Sequence, residues 1–356
     1  MTDDLTHHDE TSPGWAPRPV SLAVLAAVLI LVLIFAPDVL LVVFTGLLVG
    51  VFFGGSADWL ARRLGLNRIF GVFVVIAGII AALVMFGVGF APVVADQFEQ
   101  LLQRVPEAIS DLRDRIAQYS WGDALLARAT PSALLSAEGG ASAAGAVTST
   151  FGALGNMIIM LFIGLYVALA PTIYRKGVIA MLAPSLRSQG KDVLMEIVNT
   201  LKRWLLAQLF AMAIVGVLTW LGLWAIGVPL APVLGLIAAL LAFIPNIGPI
   251  LAAVPGVLLG FSQGPTIALL AVGVYVAVQS LESYVITPLI QQEQVSLPPA
   301  LIISAQLLMG TLFGILGLAL ATPLAAVGLT LVRETYVARY LEREQPDARS
   351  VGASRR

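Results

Sequence analysis

Residues 227–256 read GVPLAPVLGLIAALLAFIPNIGPILAAVPG. The run is long and apolar enough to lie within a bilayer, yet IPNIGP at 244–249 interrupts it. Pro245 and Pro249 lack an N–H and clash with the carbonyl one turn back. Gly248 admits backbone angles closed to other residues. Irregular backbone at membrane depth survives only where protein buries it or a wet cavity receives its polar groups. Many transporters build a midplane solute or ion site from helices broken in this way. A proline-kinked structural helix, or a short loop between two spans, is the plainer reading of the same residues.

Working outward, the composition settles the broad class. Of 356 residues, 59% are hydrophobic and only 12% charged, with a mean hydropathy of +0.94. Soluble domains carry about 25% charged residues, so the chain reads as an all-α polytopic membrane protein. A net charge of −1 gives no reason to expect nucleic acid as a partner; membrane lipid is the expected surroundings. The absence of cysteine excludes disulfides, thiolate metal sites and cysteine nucleophiles. His7 and His8 are the only histidines and lie in the polar N-terminal stretch. No metal, cofactor or enzymatic constellation is therefore expected. No nucleotide-binding GxxxxGK[ST] run occurs. Polar, mostly acidic residues precede the first apolar run, which argues against a cleavable signal peptide.

In chain order, residues 1–19 read as a disordered cytoplasmic tail and 20–91 as transmembrane segments. Spans are expected at 20–36, 39–55 and 69–91. The loop between the last two carries Arg62, Arg63 and Arg68, which the positive-inside rule places in the cytoplasm. Residues 92–150 read as an extracytoplasmic excursion. Val94, Phe98, Leu101, Val105, Ile109, Leu112, Ile116 and Tyr119 form a helical apolar stripe there. Pro106 is expected to kink it. The stripe suits a helix lying on the protein or on the membrane surface, or a contact with a neighbouring subunit. The Ala/Gly/Ser-rich stretch 132–150 reads as a flexible linker.

Residues 151–332 read as the transport region. A span at 151–170 is followed by a cytoplasmic basic loop at 171–203. Spans are expected at 208–226 and 267–287, with the broken element at 231–261 either crossing or returning. Residues 300–332, with Gly310, Gly314, Gly317 and Pro323, read as a second interrupted element. The total is seven or eight membrane segments, with broken or re-entrant helices in the C-terminal half. Arg333, Arg339, Arg343 and Arg349 place the tail 333–356 in the cytoplasm.

From position 204 to 332 the only charged residues are Glu282 and Glu293. A carboxylate inside a span is costly and marks ion or proton routes by default. Glu282 is accordingly the candidate coupling residue, with Tyr275, Gln279 and Ser283 at helical spacing on its face. The plainer role for Glu282 is a structural carboxylate near the interface. Asn246, with Pro245, Gly248 and Pro249, is the candidate substrate contact. Gln208 and Gln306 suit the same role or ordinary interhelical hydrogen bonding.

The runs GVPLAPVLGLIAALLAFIPNIGP, VQSLESYVITPLIQQEQVSLPPALI and GTLFGILGLALATPLAA resemble the motifs of the autoinducer-2 exporter family, also described as permeases. The resemblance spans residues 20–336. Its motif positions fall on Pro229, Gly235, Ile244, Pro245, Gly248 and Pro249, then Gln279, Glu282 and Pro288, then Gly314, Gly317 and Pro323. Two departures stand out. Ala207 replaces a common glycine, and Gln291, Gln292 and Glu293 replace a basic pair. The resemblance implies a bacterial inner-membrane transporter and a homo-oligomer, with a pentamer among the assemblies open to it. Some relatives are linked to autoinducer-2 export and others to sodium/proton antiport. The expected function is a secondary transporter exporting a small polar solute, autoinducer-2-like, coupled to protons. The alternatives are a sodium/proton antiporter, which takes a cation instead, or an uncoupled pore or membrane scaffold.

Overall fold

The computed structural model describes residues 35–89, 91–118, 143–286 and 298–335, together with Leu31 and Pro288. The expected first span at 20–36 lies almost wholly outside them. So do most of the expected linker and the polar loop after Pro288. Every element among the described residues is helical.

Helix α1, Pro37–Leu64, opens on a proline and closes at Gly65, whose left-handed backbone returns its N–H to the Ala61 carbonyl. After a turn of three residues comes α2, Arg68–Gly89. Arg68 Nε meets Asp58 Oδ1 at 2.7 Å across this turn. Helix α3, Ala91–Ala117, runs on through Pro106. Helix α4, Ala143–Leu169, starts inside the stretch read as a linker. Alanine has the highest helix propensity, and Ala143, Ala144 and Ala146 extend the span backwards. At Ala170 the chain bends by 91° into the short α5, Pro171–Ala180. Helix α6, Arg187–Ala225, merges the basic amphipathic stretch and the following span into one rod.

Small residues set the packing. Gly46 and Gly50 on α1 leave room for Ile163 and Val167 on α4, while Gly164 answers against Val49. This is the close glycine-based crossing that membrane helices use where no hydrophobic force separates protein from lipid. The start of α6 lies against α1, where Leu48, Leu201, Trp204 and Leu205 form a buried cluster. Both basic stretches, on α1 and on α5–α6, therefore share one end of the bundle. The outer sides of these helices are apolar and exposed, for example Leu83, Met85 and Val88 on α2, as lipid-facing surface must be.

Candidate functional site

The interrupted element is a re-entrant hairpin. Its first limb is α7, Ala231–Leu241, and its second is α8, Ile247–Ser262. At about 1.5 Å per residue neither limb reaches across ~30 Å of hydrocarbon. Helix α7 runs back along α6: Gly216 faces Ala239, and Gly235 faces Trp220. Helix α9, Pro265–Leu281, then returns along α8: Gly256 faces Tyr275, and Gly260 faces Ala268. Gly222 of α6 faces Val274 of α9, so the open ends of both limbs lie towards the end of α6 far from the basic residues. The tip, 242–246, points towards the basic end.

The tip is held by side-chain amides. Gln208 Nε2 of α6 donates to the Ala242 carbonyl at 2.7 Å. Gln306 Nε2 donates to the Pro245 carbonyl, also at 2.7 Å. These are carbonyls that the break strips of helical partners, and an unmet carbonyl in apolar surroundings is expensive. Gln306 is only 2% exposed and Ala242 1%, so water is no substitute there. The remaining tip bonds are local, from Ile247 N to the Pro245 carbonyl at 2.8 Å and from Gly248 N to the Ile244 carbonyl at 2.9 Å. Gly248 sits so close to the Leu241 carbonyl that a Cβ would overlap it. Leu230 and Asn246, which precede the two limbs, are the non-glycine residues with positive φ, at 59° and 67° among the described residues. Such backbone strain clusters at functional sites.

Gln306 belongs to a second hairpin. Helix α10, Pro299–Val332, is broken at Gly314, with φ 62° and ψ −144°. Only glycine takes this combination without strain. Gly317 lies against the Met309 carbonyl, and Gly310 against Leu318. Residues eight apart are about 12 Å apart along a straight helix, so the two limbs fold back on each other. The second limb brings Val327 onto the cluster of Leu201 and Trp204 at the basic end. The two hairpins thus approach from opposite ends and meet through Gln306.

Glu282 lies on the inner side of α9, at the start of a π-helical turn, Glu282–Ile286. It continues the buried face of Ala268, Ala271, Tyr275 and Val278. Its Oε2 is shut off from solvent and has no hydrogen-bond partner among the described residues. The Tyr275 hydroxyl and Thr219 Oγ1 are shielded and unpartnered in the same sense. Of the other members of the expected polar face, half-buried Gln279 stays within hydrogen-bonding reach of the Glu282 side chain and its Nε2 donates to Ser283 Oγ at 3.3 Å, whereas Ser283 is exposed. Asn246 is exposed at the tip, Pro245 and Pro249 are half-buried, and Gly248 is buried. No hydrogen bond joins Glu282 to the hairpin tip among the described residues, so the two candidate groups are separate features. Sequence reasoning gave Gln208 and Gln306 no special weight. Their signal was present as two amides on otherwise apolar helices facing a stretch known to have orphan carbonyls. No cluster of metal-ligating side chains occurs among the described residues.

Part of the apolar stripe of α3 packs within the chain, while Phe98 and Ile109 stay exposed. Leu101 is buried in the same core as Leu234, Ala238, Ala252 and Leu259, with Val94 and Val105 alongside. Helix α3 therefore braces both limbs of the first hairpin.

Residues 22–336 match the family described as AI-2E family transporter. Relatives with curated names agree. The "Putative transport protein YueF" of Bacillus subtilis is 34% identical over 149 residues, 42% of this chain and 40% of that protein. A second B. subtilis transport protein of the same kind, YrrI, is 30% identical over 47% of each chain. A Thermotoga maritima protein, also named as a transport protein, is 25% identical over 79% of this chain and 87% of its own length. The matches thus span less than half of the two Bacillus relatives.

Proposed function

The chain belongs to the AI-2E transporter family, and from that premise we propose that it is a secondary transporter for a small polar solute, with Glu282 as its coupling carboxylate. The observation that carries this reading is Glu282 itself: an inward-facing carboxylate in a span, one oxygen sealed from solvent and without a hydrogen-bond partner among the described residues, at a π-helical turn. Evolution tolerates such a group at membrane depth where an ion or proton uses it, and π turns recur at functional positions. The hairpin tip supplies the solute contact, with Asn246 and the backbone of 244–249 as the groups available. The C-terminal half holds no cation among positions 204–332, which favours a neutral polar solute over a large anion.

The positive-inside rule assigns the basic end of the bundle, with Arg62, Arg63, Arg175 and Lys176, to the cytoplasm of a bacterial inner membrane. On this reading the first hairpin enters from outside and the second from inside. Alternating access consists in movement of one hairpin past the other, and export of an autoinducer-2-like solute is the favoured direction.

Purified protein in liposomes tests this. With a proton gradient imposed, internal pH is followed on adding autoinducer-2 or sodium, for the wild type, Glu282→Gln and Glu282→Asp. Coupling through Glu282 requires that one solute move protons in the wild type, that Glu282→Gln abolish this and that Glu282→Asp retain part. The solute that works distinguishes exporter from antiporter. Wild-type proton movement by Glu282→Gln removes the coupling role. Solute flux without any proton movement makes the protein an uncoupled facilitator.

A further inference from the structure

At the basic end, α1, α2 and α6 line an open groove of about 390 Å³. Its walls are Gly55, Trp59 and Leu60 of α1, Val75 of α2 and Leu206 of α6, with Ser56 and Lys202 as its polar groups. The Lys202 stem lies flat across α1. Its Cε stands where a Cβ on Gly55 would be, at 2.6 Å. Glycine at position 55 is what lets the lysine lie in the groove rather than beside it.

The cation has no protein counter-charge among the described residues. The two carboxylates nearest in sequence and fold are already engaged: Asp58 with Arg68 at 2.7 Å, and Glu196 with Arg203 at 3.0 Å. Lys202 is also the last lysine before the uninterrupted apolar run that begins at Trp204, so it sits where headgroups meet hydrocarbon. Trp59, 61% exposed, marks the same level, since indole rings settle at the membrane interface. A lysine that lies along apolar surface and ends at the headgroups satisfies its charge on phosphate, and basic pockets between transmembrane helices bind anionic headgroups.

We propose that this groove binds one anionic phospholipid, with its acyl chain against Leu60, Val75 and Leu206 and its phosphate on Lys202. Charge decides the class of lipid: a zwitterionic headgroup brings its own cation to a site that already holds one. The site does not involve Glu282 or either hairpin tip.

Native mass spectrometry of the full-length, delipidated protein in detergent tests this. Phosphatidylglycerol, phosphatidylcholine and inorganic phosphate are titrated separately against the wild type, Lys202→Gln, Lys202→Arg and Leu206→Trp. The wild type is expected to prefer phosphatidylglycerol over phosphatidylcholine by about fivefold, the worth of one lysine near an anionic surface. Lys202→Gln should bring that ratio to about one, Lys202→Arg should keep it, and Leu206→Trp should weaken both lipids by filling the groove. An unchanged preference in Lys202→Gln overturns the proposal. So does inorganic phosphate binding as tightly as the lipid, which leaves the groove no part. If Lys202→Gln changes the oligomeric mass but not lipid binding, a second copy of the chain covers the groove and the proposal fails.

Discussion

Replacing the two amides at the hairpin tip by leucine separates two explanations of the break. Gln208→Leu and Gln306→Leu are close in volume to the wild type, so each removes a hydrogen bond without opening a large cavity. If the amides serve only as general interhelical adhesive, the more buried one should matter more, and Gln306 is the more buried. If they serve to satisfy orphan carbonyls, the order reverses. The Pro245 carbonyl keeps a second donor, Ile247 N at 2.8 Å. The Ala242 carbonyl has Gln208 as its hydrogen-bond donor, and Ala242 is sealed from solvent. An unsatisfied buried group costs ~1–3 kcal/mol, against ~0.5–1.5 for a bond whose acceptor keeps another donor. Interhelical bonds in membrane proteins fall at the lower end of such ranges, about 0.6 kcal/mol on average. The expected losses are therefore about 1–2 kcal/mol for Gln208→Leu and about 0.5–1 kcal/mol for Gln306→Leu. Reversible unfolding in mixed detergent micelles measures both, and the double variant measures their coupling across acceptors three residues apart. The opposite order, or two variants within about 0.3 kcal/mol of the wild type, below the usual worth of one hydrogen bond, refutes the carbonyl-satisfaction argument.

Two further predictions follow from the same geometry. Gly256→Ala forces a methyl into the Tyr275 ring and should cost ~1–3 kcal/mol as overpacking. Because the Tyr275 hydroxyl is buried without a partner among the described residues, Tyr275→Phe alone should be neutral or stabilising and should partly rescue Gly256→Ala in the same unfolding assay; a large loss on Tyr275→Phe reveals a partner for the hydroxyl. The chain has no natural cysteine, so Ser262→Cys and Arg62→Cys can be labelled in spheroplasts with an impermeant maleimide. A re-entrant first hairpin requires that they react from opposite sides, and labelling from the same side means that 231–262 crosses instead.

Much of the architecture was legible because two physical signals are strong. Apolar length marks spans, and proline or glycine inside such a length marks a break. Both interrupted elements were read at their residues, Pro245 to Pro249 and Gly310 to Gly317. Whether the first element crosses or returns was not legible, because 204–332 carries no positive charge for the inside rule to act on. That choice rests on which glycines face which helix, a pairing that sequence periodicity does not encode. The start of α4 was misjudged for a related reason, since alanine serves linkers and helices alike. The α3 stripe was read correctly as apolar, and packing on the protein itself was one of the readings open to it; the sequence did not choose, because a stripe states what must be covered and not by what.

The candidate site shows the same division in sharper form. Glu282 stood out because a charge in a span is rare, whereas its expected companions Gln279 and Ser283 were grouped with it by ideal helical spacing. Ser283 lies one residue, about 100°, round the helix from Glu282, so the buried face of Ala268, Ala271, Tyr275 and Val278 that Glu282 continues leaves it exposed. The amides at the tip were named only as candidates for solute contact or interhelical hydrogen bonding, and the structure shows the latter; glutamine in a membrane helix is common enough that the sequence alone did not choose. What distinguishes Gln208 and Gln306 is the place of their acceptors, three residues apart on a backbone that cannot pair with itself. Neutral amides also suit the hairpin movement proposed above. An ion pair at this depth would have to be desolvated and separated at each cycle, at a cost of several kcal/mol per ion, whereas an amide-to-carbonyl bond exchanges for about one. A transporter whose hairpins slide past each other is better served by weak latches than by salt bridges, and from positions 204 to 332 the sequence contains no cation with which to make one.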